Sequence, residues 1–440
     1  MKDGGRLSAA IEILNDLEAH RQPVQEALKE WGRRHRFAGS GDRVVIANLV
    51  FDALRRRLSL AHVMGETSAR ALILATFALS WEQGIEGLEA AFASDRFAPE
   101  PLTGDERARL EAALDGGDAA TDVLADAPAH VRADVPHWLW PHFEEGFGDE
   151  AVAEGVALAA RAPIDLRVNL LKGDRERLLR RLSHLEFQPT PISPVGLRLS
   201  PPRGRERAPH VQAEEGFRKG WFELQDEASQ IAALLGASVE PSQVLDFCAG
   251  GGGKTLALAG ALDNRGQIYA HDANRLRLAP IFERLQRAGA RNVQTRDPQS
   301  ASLDDLEGRM DLVFLDVPCS GTGVWRRRPD SKWRVTANAL AGRMREQQGV
   351  LAEASRYVRP GGHLLYATCS LLPCENQTQV RTFLAERGED FEVDALQPRW
   401  EAVFGADAAT PRFTAEGFAT LSPARTGTDG FFVALLRRRA

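Results

Sequence analysis

The chain has 440 residues, 43% of them hydrophobic and 26% charged, with a formal net charge of −6. This suits a globular protein with room for two or three domains and at least one large core. No apolar run approaches a membrane span, and the mild negative charge argues against a general nucleic-acid coat protein while leaving room for local basic patches.

The opening Met1-Lys-Asp-Gly-Gly-Arg6 leads into a charged helical pattern rather than a signal core. From Leu7 to about Leu124 apolar residues recur at helix spacing, as in Val44–Leu54, so a separate helical domain over 1–130 is expected. Ser40-Gly-Asp42 reads as the cap of that second segment. Two basic clusters, Arg33-Arg-His-Arg36 and Arg55-Arg-Arg57, are either solvated helix faces or an RNA-contacting face. Asp118 to Pro128 reads as a linker.

Residues 131–220 alternate between patterns. Helix follows Val135-Pro-His-Trp-Leu-Trp140, and Pro163–Lys172 reads as a strand with a basic end. Arg175–Leu182 is helical and Leu197-Arg-Leu199 is a short strand, which suggests a small α+β subdomain. The proline- and arginine-rich piece from Ser200 to Pro209 is a loop, solvated or touching RNA.

Residues 221–440 carry the chemistry. The strand pattern Val244-Leu-Asp-Phe247 runs into Cys248-Ala249-Gly250-Gly251-Gly252-Gly253-Lys254-Thr255 and then an apolar helix. Strand, glycine loop and helix form the nucleotide-binding start of a doubly wound α/β sheet. A phosphate-binding loop would need glycine five positions before Gly253, where the chain has Cys248. The next strand, Gln267–Ala270, ends at His271-Asp272, where an acid can grip two ribose hydroxyls. The third, Asn292–Thr295, leads to Asp297, placed to accept from an adenine amino group or simply to face solvent. Together these suggest an adenosyl ligand, with dinucleotides still open.

Two later strand patterns end in cysteine. Met310–Leu315 leads to Asp316-Val-Pro-Cys319-Ser-Gly-Thr-Gly323, and His363–Tyr366 leads to Ala367-Thr-Cys369-Ser370. The two tips are expected to be neighbours. The chain has only four cysteines and no CxxC pair, so neither a zinc site nor a disulfide scaffold is expected, and reduced thiols fit the cytoplasm. Paired thiols do not serve hydride transfer, which argues against a dinucleotide. They do serve methylation of cytosine carbon 5. A thiolate adding to carbon 6 makes carbon 5 nucleophilic, an acid steadies the charge, and a second group helps expel the enzyme.

The twin-cysteine segments, with Arg327-Arg-Pro-Asp-Ser-Lys-Trp333 between them, resemble the Sun/Fmu/nucleolar-protein family of RNA 5-methylcytosine methyltransferases. Arg167-Val-Asn169, Gln225-Asp-Glu-Ala-Ser229 and Asp429-Gly-Phe-Phe432 match as well. The resemblance implies a Rossmann-like class I methyltransferase domain, preceded by a NusB-like helical RNA-binding domain and the small α+β subdomain. It implies S-adenosyl-L-methionine as cofactor, no metal, a monomer, and RNA as partner: ribosomal RNA or a small-subunit assembly intermediate. Cys369 matches the family's nucleophile, Cys319 the cysteine that assists release, and Asp316 the acid at the cytosine. Asp272 matches the ribose ligand, Asp297 the adenine-side ligand, Arg277 a positioning arginine, and Cys248 to Lys254 the methionine-end loop. Cys374 matches no role and reads as structural, while Arg326–Arg328 read as phosphate-steering or solvated. One departure stands out: the family's alanine-proline-glycine-glycine is four glycines here. Two other classes compete: an RNA-binding ribosome-assembly factor without turnover, and a DNA cytosine methyltransferase using Cys319.

Overall fold

The computed structural model describes residues 1–20, 22–115, 124–298 and 303–440. Most of the expected linker at 118–128 therefore lies outside the described residues. The chain forms two compact units. The first holds Met1–Arg161 with Pro201–Ala208 and Trp325–Val335, and the second holds Ala162–Ser200, Pro209–Val324 and Thr336–Ala440.

The described part of the first unit is helical. In Asp3–His20 the positions Leu7, Ala10, Ile13, Leu14 and Leu17 recur every three or four residues, and all are buried. The helix Ser40–Arg55 is capped differently from expectation: Ser40 is already helical, and the Asp42 carboxylate reaches back to the Gly39 N–H at 3.2 Å. The first compact unit runs on to Arg161, past the expected division at 130. Asp134 ties the residues after 130 to these helices: its carboxylate accepts from Leu58 N at 2.7 Å, Ser59 N at 3.1 Å and Ser59 Oγ at 2.6 Å. Residues after 130 thus cap the start of the helix Arg57–Met64.

Two segments join this unit from far along the chain. Arg161 donates to the carbonyls of Pro202 at 2.7 Å and Gly204 at 2.8 Å, so the 201–208 loop is packed rather than merely solvated. In 325–335, the Trp325 ring stacks on Phe143 at 5.6 Å, Lys332 Nζ donates to Arg55 O at 2.9 Å, and Trp333 Nε1 donates to Leu54 O at 2.7 Å. Burial pulls the Lys332 ammonium down to about 8, against the opposing charge of Asp134. Two expected surface arginines are corrected here. Arg326 is buried, and Arg55 is bound to Asp52 with its pKa lowered by burial.

The second unit contains two sheets. The strands β1 (Ile164–Val168), β2 (Gln188–Pro189), β3 (Gly196–Leu199) and β4 (Phe222–Leu224) pair antiparallel in the order β2-β3-β1-β4. Leu166, Val168, Leu178, Phe187, Leu197 and Phe222 form their core. The large sheet contains β5 (Gln243–Asp246), β6 (Gln267–Ala270), β7 (Val293–Thr295), β8 (Met310–Asp316), β9 (Val358–Thr368), β10 (Phe391–Val393), β11 (Arg412–Phe413), β12 (Ala419–Leu421) and β13 (Phe431–Arg438). Its order is β11-β12-β13-β9-β8-β5-β6-β7, with β10 also on β13. The five strands from β7 to β9 run parallel, and β13 returns antiparallel to β9. Leu312 to Leu315 and Leu364 to Ala367 are fully buried, as expected for parallel strands covered on both faces. This is a Rossmann-like sheet, and its parallel strands deliver their carboxyl ends to one edge. No helix among the described residues is long and apolar enough to cross a membrane.

Candidate active site

At the tip of β5, the loop from Cys248 to Gly253 turns into the helix Gly253–Ala261. Gly250 and Gly252 have φ of +50° and +80°, where a side chain is strained. A Cβ on Gly252 would also lie 2.4 Å from Ile281 Cγ1. Asp272, at the tip of β6, is buried and takes two backbone N–H groups, from Gly250 at 2.9 Å and Asn274 at 2.8 Å. Arg277 stands 3.8 Å from the same carboxylate, half exposed. Ala249 N donates to His271 O at 2.8 Å, stitching the two tips together. Burial pushes the Cys248 thiol up. Asp297 lies exposed beyond β7.

Asp246 is fully buried under this loop. One oxygen accepts from Thr255 Oγ1 at 2.6 Å, and the other has no hydrogen-bond partner among the described residues. Burial pushes its pKa up to about 7.

The two cysteine-bearing tips are neighbours, as expected, with Asp316 opposite Ala367 in the β8/β9 register. Val317 N donates to Ala367 O and Gly323 N to Cys369 O, each at 3.0 Å, so the tips stay paired past the strands. Cys319 Sγ and Cys369 Sγ sit 3.4 Å apart. The hydrogen bond to Cys369, reinforced by burial, pushes the Cys319 thiol up, so Cys319 keeps its proton. Lys254 is no surface lysine. Its Nζ lies 2.7 Å from Asp316 Oδ2 and 5.2 Å from the centre of the Phe431 ring. Burial pulls this ammonium down, but the charge and hydrogen bond of Asp316 outweigh it, and its pKa is raised.

The sequence reading missed Glu375. Its fully buried carboxylate accepts from Ser320 N at 2.8 Å, Ser370 Oγ at 2.5 Å, Gln347 Nε2 at 3.1 Å, and Ser320 Oγ. Each cysteine is followed by one of those serines, so one carboxylate ties the two tips together. The available signal was an acid just after the apolar Leu371-Leu372-Pro373, close behind Ser370. Arg167 also gains a position: it donates to Gly253 O at 2.7 Å and to Gln225 Oε1.

Two family models match this chain. Residues 233–437 match the 16S rRNA methyltransferase RsmB/F model, and 135–204 match the ferredoxin-like domain of RsmF/B-like methyltransferases. Ribosomal RNA small subunit methyltransferase B of Sodalis glossinidius is 35% identical over 316 residues, covering 71% of this chain and 68% of that protein. The chain belongs to the RsmB/F family of 16S rRNA methyltransferases. The Cronobacter sakazakii protein of the same name is 34% identical over 69% of this chain and 66% of its own length. The chain thus spans about two thirds of the length of these relatives. Among solved structures, the crystal structure of PH0851 aligns over 98% of both chains with a TM-score of 0.70 and 25% identity.

RsmB/F membership implies S-adenosyl-L-methionine as the methyl donor. The residues present fit it. The glycines at 250 and 252 bring bare backbone to the sheet edge, the helix at Gly253 points its N-terminus there, and the orphan oxygen of Asp246 lies beneath. Asp272 supplies a fixed carboxylate at the second strand tip.

Proposed function

We propose that this protein transfers a methyl group from S-adenosyl-L-methionine to carbon 5 of a cytosine in small-subunit ribosomal RNA, through a covalent bond from Cys369 to carbon 6. The observation that carries this reading is the pair of thiols 3.4 Å apart beside the Lys254–Asp316 ion pair, at the edge that also bears the glycine loop.

Bound at the glycine loop, the cofactor supplies an electrophilic methyl group. The remaining chemistry belongs to the chain. A cytosine swung out of its stack enters between the β8 and β9 tips. Asp316 accepts a hydrogen bond from the exocyclic amino group, which uracil lacks, and so selects cytosine. The Cys369 thiolate adds to carbon 6, and carbon 5 becomes nucleophilic. The Lys254 ammonium, held by Asp316, offsets the negative charge that addition brings. After methyl transfer, carbon 5 carries a proton that must leave. The hydrogen bond to Cys369 is the main hold on the Cys319 proton. Once the Cys369 sulfur is bonded to carbon, that part of the hold is lost, while burial and the Glu375 charge still favour the thiol. Cys319, acting as a thiolate, takes the proton on carbon 5 as the bond from carbon 6 to sulfur breaks, and Cys369 departs as a thiolate.

In this reading Asp272 grips the ribose, Asp297 the adenine side, Arg277 assists at the ribose, and Cys248 to Lys254 cradle the methionine end. The helical unit, with exposed Arg33 and Arg36, contacts the RNA. The protein works as a cytoplasmic monomer on ribosomal RNA or a small-subunit assembly intermediate. Bisulfite sequencing of ribosomal RNA from a deletion strain tests this. One cytosine of the small-subunit RNA should lose its resistance to conversion and regain it with the wild-type gene, not with Cys369→Ala. Unchanged conversion at every position would leave a non-catalytic RNA-binding factor as the better reading.

A further inference from the structure

Four consecutive glycines are the loosest backbone a chain can offer, and ordering them costs more entropy than any other tetrapeptide. Yet Gly250 to Gly253 must hold one shape for a ligand to rest on it. The loop's own hydrogen bonds are few: Gly252 N donates to Ala249 O at 2.9 Å, and Gly250 N to Asp272. Its carbonyls are caught from outside. Arg284 Nη1 donates to Gly251 O at 2.5 Å, and Arg167 Nη1 donates to Gly253 O at 2.7 Å. Arg284 is itself anchored, its Nη2 lying 3.0 Å from Glu223 Oε2, and Glu223 also holds Arg287 at 2.6 Å. Arg167 is wholly enclosed.

We infer that Arg284 is a positioning residue for the cofactor: anchored on Glu223, its guanidinium pins the Gly251 carbonyl and so fixes a glycine loop that lacks stiffness of its own. The inference rests on the reading of this loop as the cofactor cradle. Gly251 sets the pin against a stiffer backbone. Its φ lies outside the left-handed region, so its backbone does not itself demand glycine. A Cβ there would come within 3.2 Å of Arg284 Nη1, while the next neighbour, Pro280 Cβ, is a comfortable 3.9 Å away. The missing side chain therefore makes room for the guanidinium. Remove the guanidinium, and a Cβ at 251 becomes both tolerated and useful, because it restricts the unliganded loop.

The test is calorimetric titration of the full chain with S-adenosyl-L-homocysteine, which reads binding without turnover. Arg284→Ala should raise Kd about tenfold, since a charged donor to a carbonyl is lost and the loop must be ordered by the ligand. Gly251→Ala alone should weaken binding about twofold, because it displaces the Arg284 tip. Gly251→Ala added to Arg284→Ala should instead recover about two- to fivefold. That reversal of sign is what an arginine serving only the subdomain packing would not produce. If Arg284→Ala does not fold, Arg284→Lys replaces it, a point charge that cannot serve both Gly251 and Glu223. Wild-type affinity in the folded Arg284 variant, or no recovery in the double variant, overturns the inference while leaving the cofactor site intact. Failure of the wild-type chain to bind the probe overturns the cofactor reading and this inference with it.

Discussion

Glu375 joins the two cysteines although it touches neither sulfur. Removing its carboxylate takes the acceptor from the Ser320 N–H and from the Ser320 and Ser370 hydroxyls, while the Gln347 amide keeps Pro318 O at 2.9 Å. Each such loss typically costs about 1–3 kcal/mol, so Glu375→Ala should relax the tips apart rather than leave them strained. Cofactor binding should be unchanged, while attack on RNA slows by about a hundredfold, as small misplacements of reacting groups do. Titration with S-adenosyl-L-homocysteine, paired with the rate of RNA adduct formation in a Cys319→Ala background, checks this. An unchanged adduct rate would reduce Glu375 to a packing residue. Asp246 gives a pH test. Its folded pKa of about 7 lies above the ordinary aspartate value of 3.8, so its contribution favours folding at acid pH and is lost as pH rises through about 7. Urea unfolding from pH 5 to pH 8 should show that loss in the wild type and less of it in Asp246→Asn. Each unit of displacement corresponds to about 1.4 kcal/mol. Parallel pH profiles for the two proteins would contradict the assignment.

Among the elements, the parallel strands were the most legible, because β8 and β9 are continuous apolar runs that only a doubly covered sheet explains. Their polar tips offered Asp316, Cys319 and Cys369 as candidates. The glycine loop was equally plain. What held these elements was not legible. Glu375 reaches donors 55 and 28 positions away, and Arg284 reaches a carbonyl 33 positions away. Such pairings come from the sheet order, which no local pattern encodes. Asp272 shows the same limit: the strand tip was readable, but not that its carboxylate already fastens Gly250 and Asn274. Asp272→Asn should therefore weaken S-adenosyl-L-homocysteine binding by roughly 1.5–3 kcal/mol through loop and ribose together. Undiminished affinity in a folded variant would show that this acid does not serve the cofactor.

For the whole molecule, the sequence reading cut the chain into three consecutive pieces, whereas the compact units are discontinuous. Residues 201–208 and 325–335 return to the helical unit through single contacts such as Arg161 to Gly204 O and Trp333 to Leu54 O. Deleting the first 130 residues would strip Lys332 and Trp333 of those partners, so the RNA-binding role of the helical unit is better tested on its surface. Arg33 and Arg36 are exposed, unlike Arg55 and Arg326. Arg33→Glu with Arg36→Glu should weaken binding of small-subunit RNA and make its salt dependence shallower, by roughly 0.7 per lost phosphate contact in single-stranded RNA. Cofactor affinity should stay the same. Filter binding over a range of salt concentrations gives the slope, and an unaltered slope would place the RNA contacts elsewhere.

The central claim is the division of labour between the two thiols, and a denaturing gel of the single-cysteine variants tests it most directly. Radiolabelled small-subunit RNA is incubated with S-adenosyl-L-methionine and each variant, then run under conditions that break all non-covalent contact. Cys319→Ala should attack carbon 6 and transfer the methyl group, then stall for want of a group to remove the carbon 5 proton, leaving a retarded RNA–protein band. Cys369→Ala should give neither band nor methylation. A retarded band with Cys369→Ala alone would make Cys319 the nucleophile, and methylation intact in both variants with no band in either would contradict covalent catalysis.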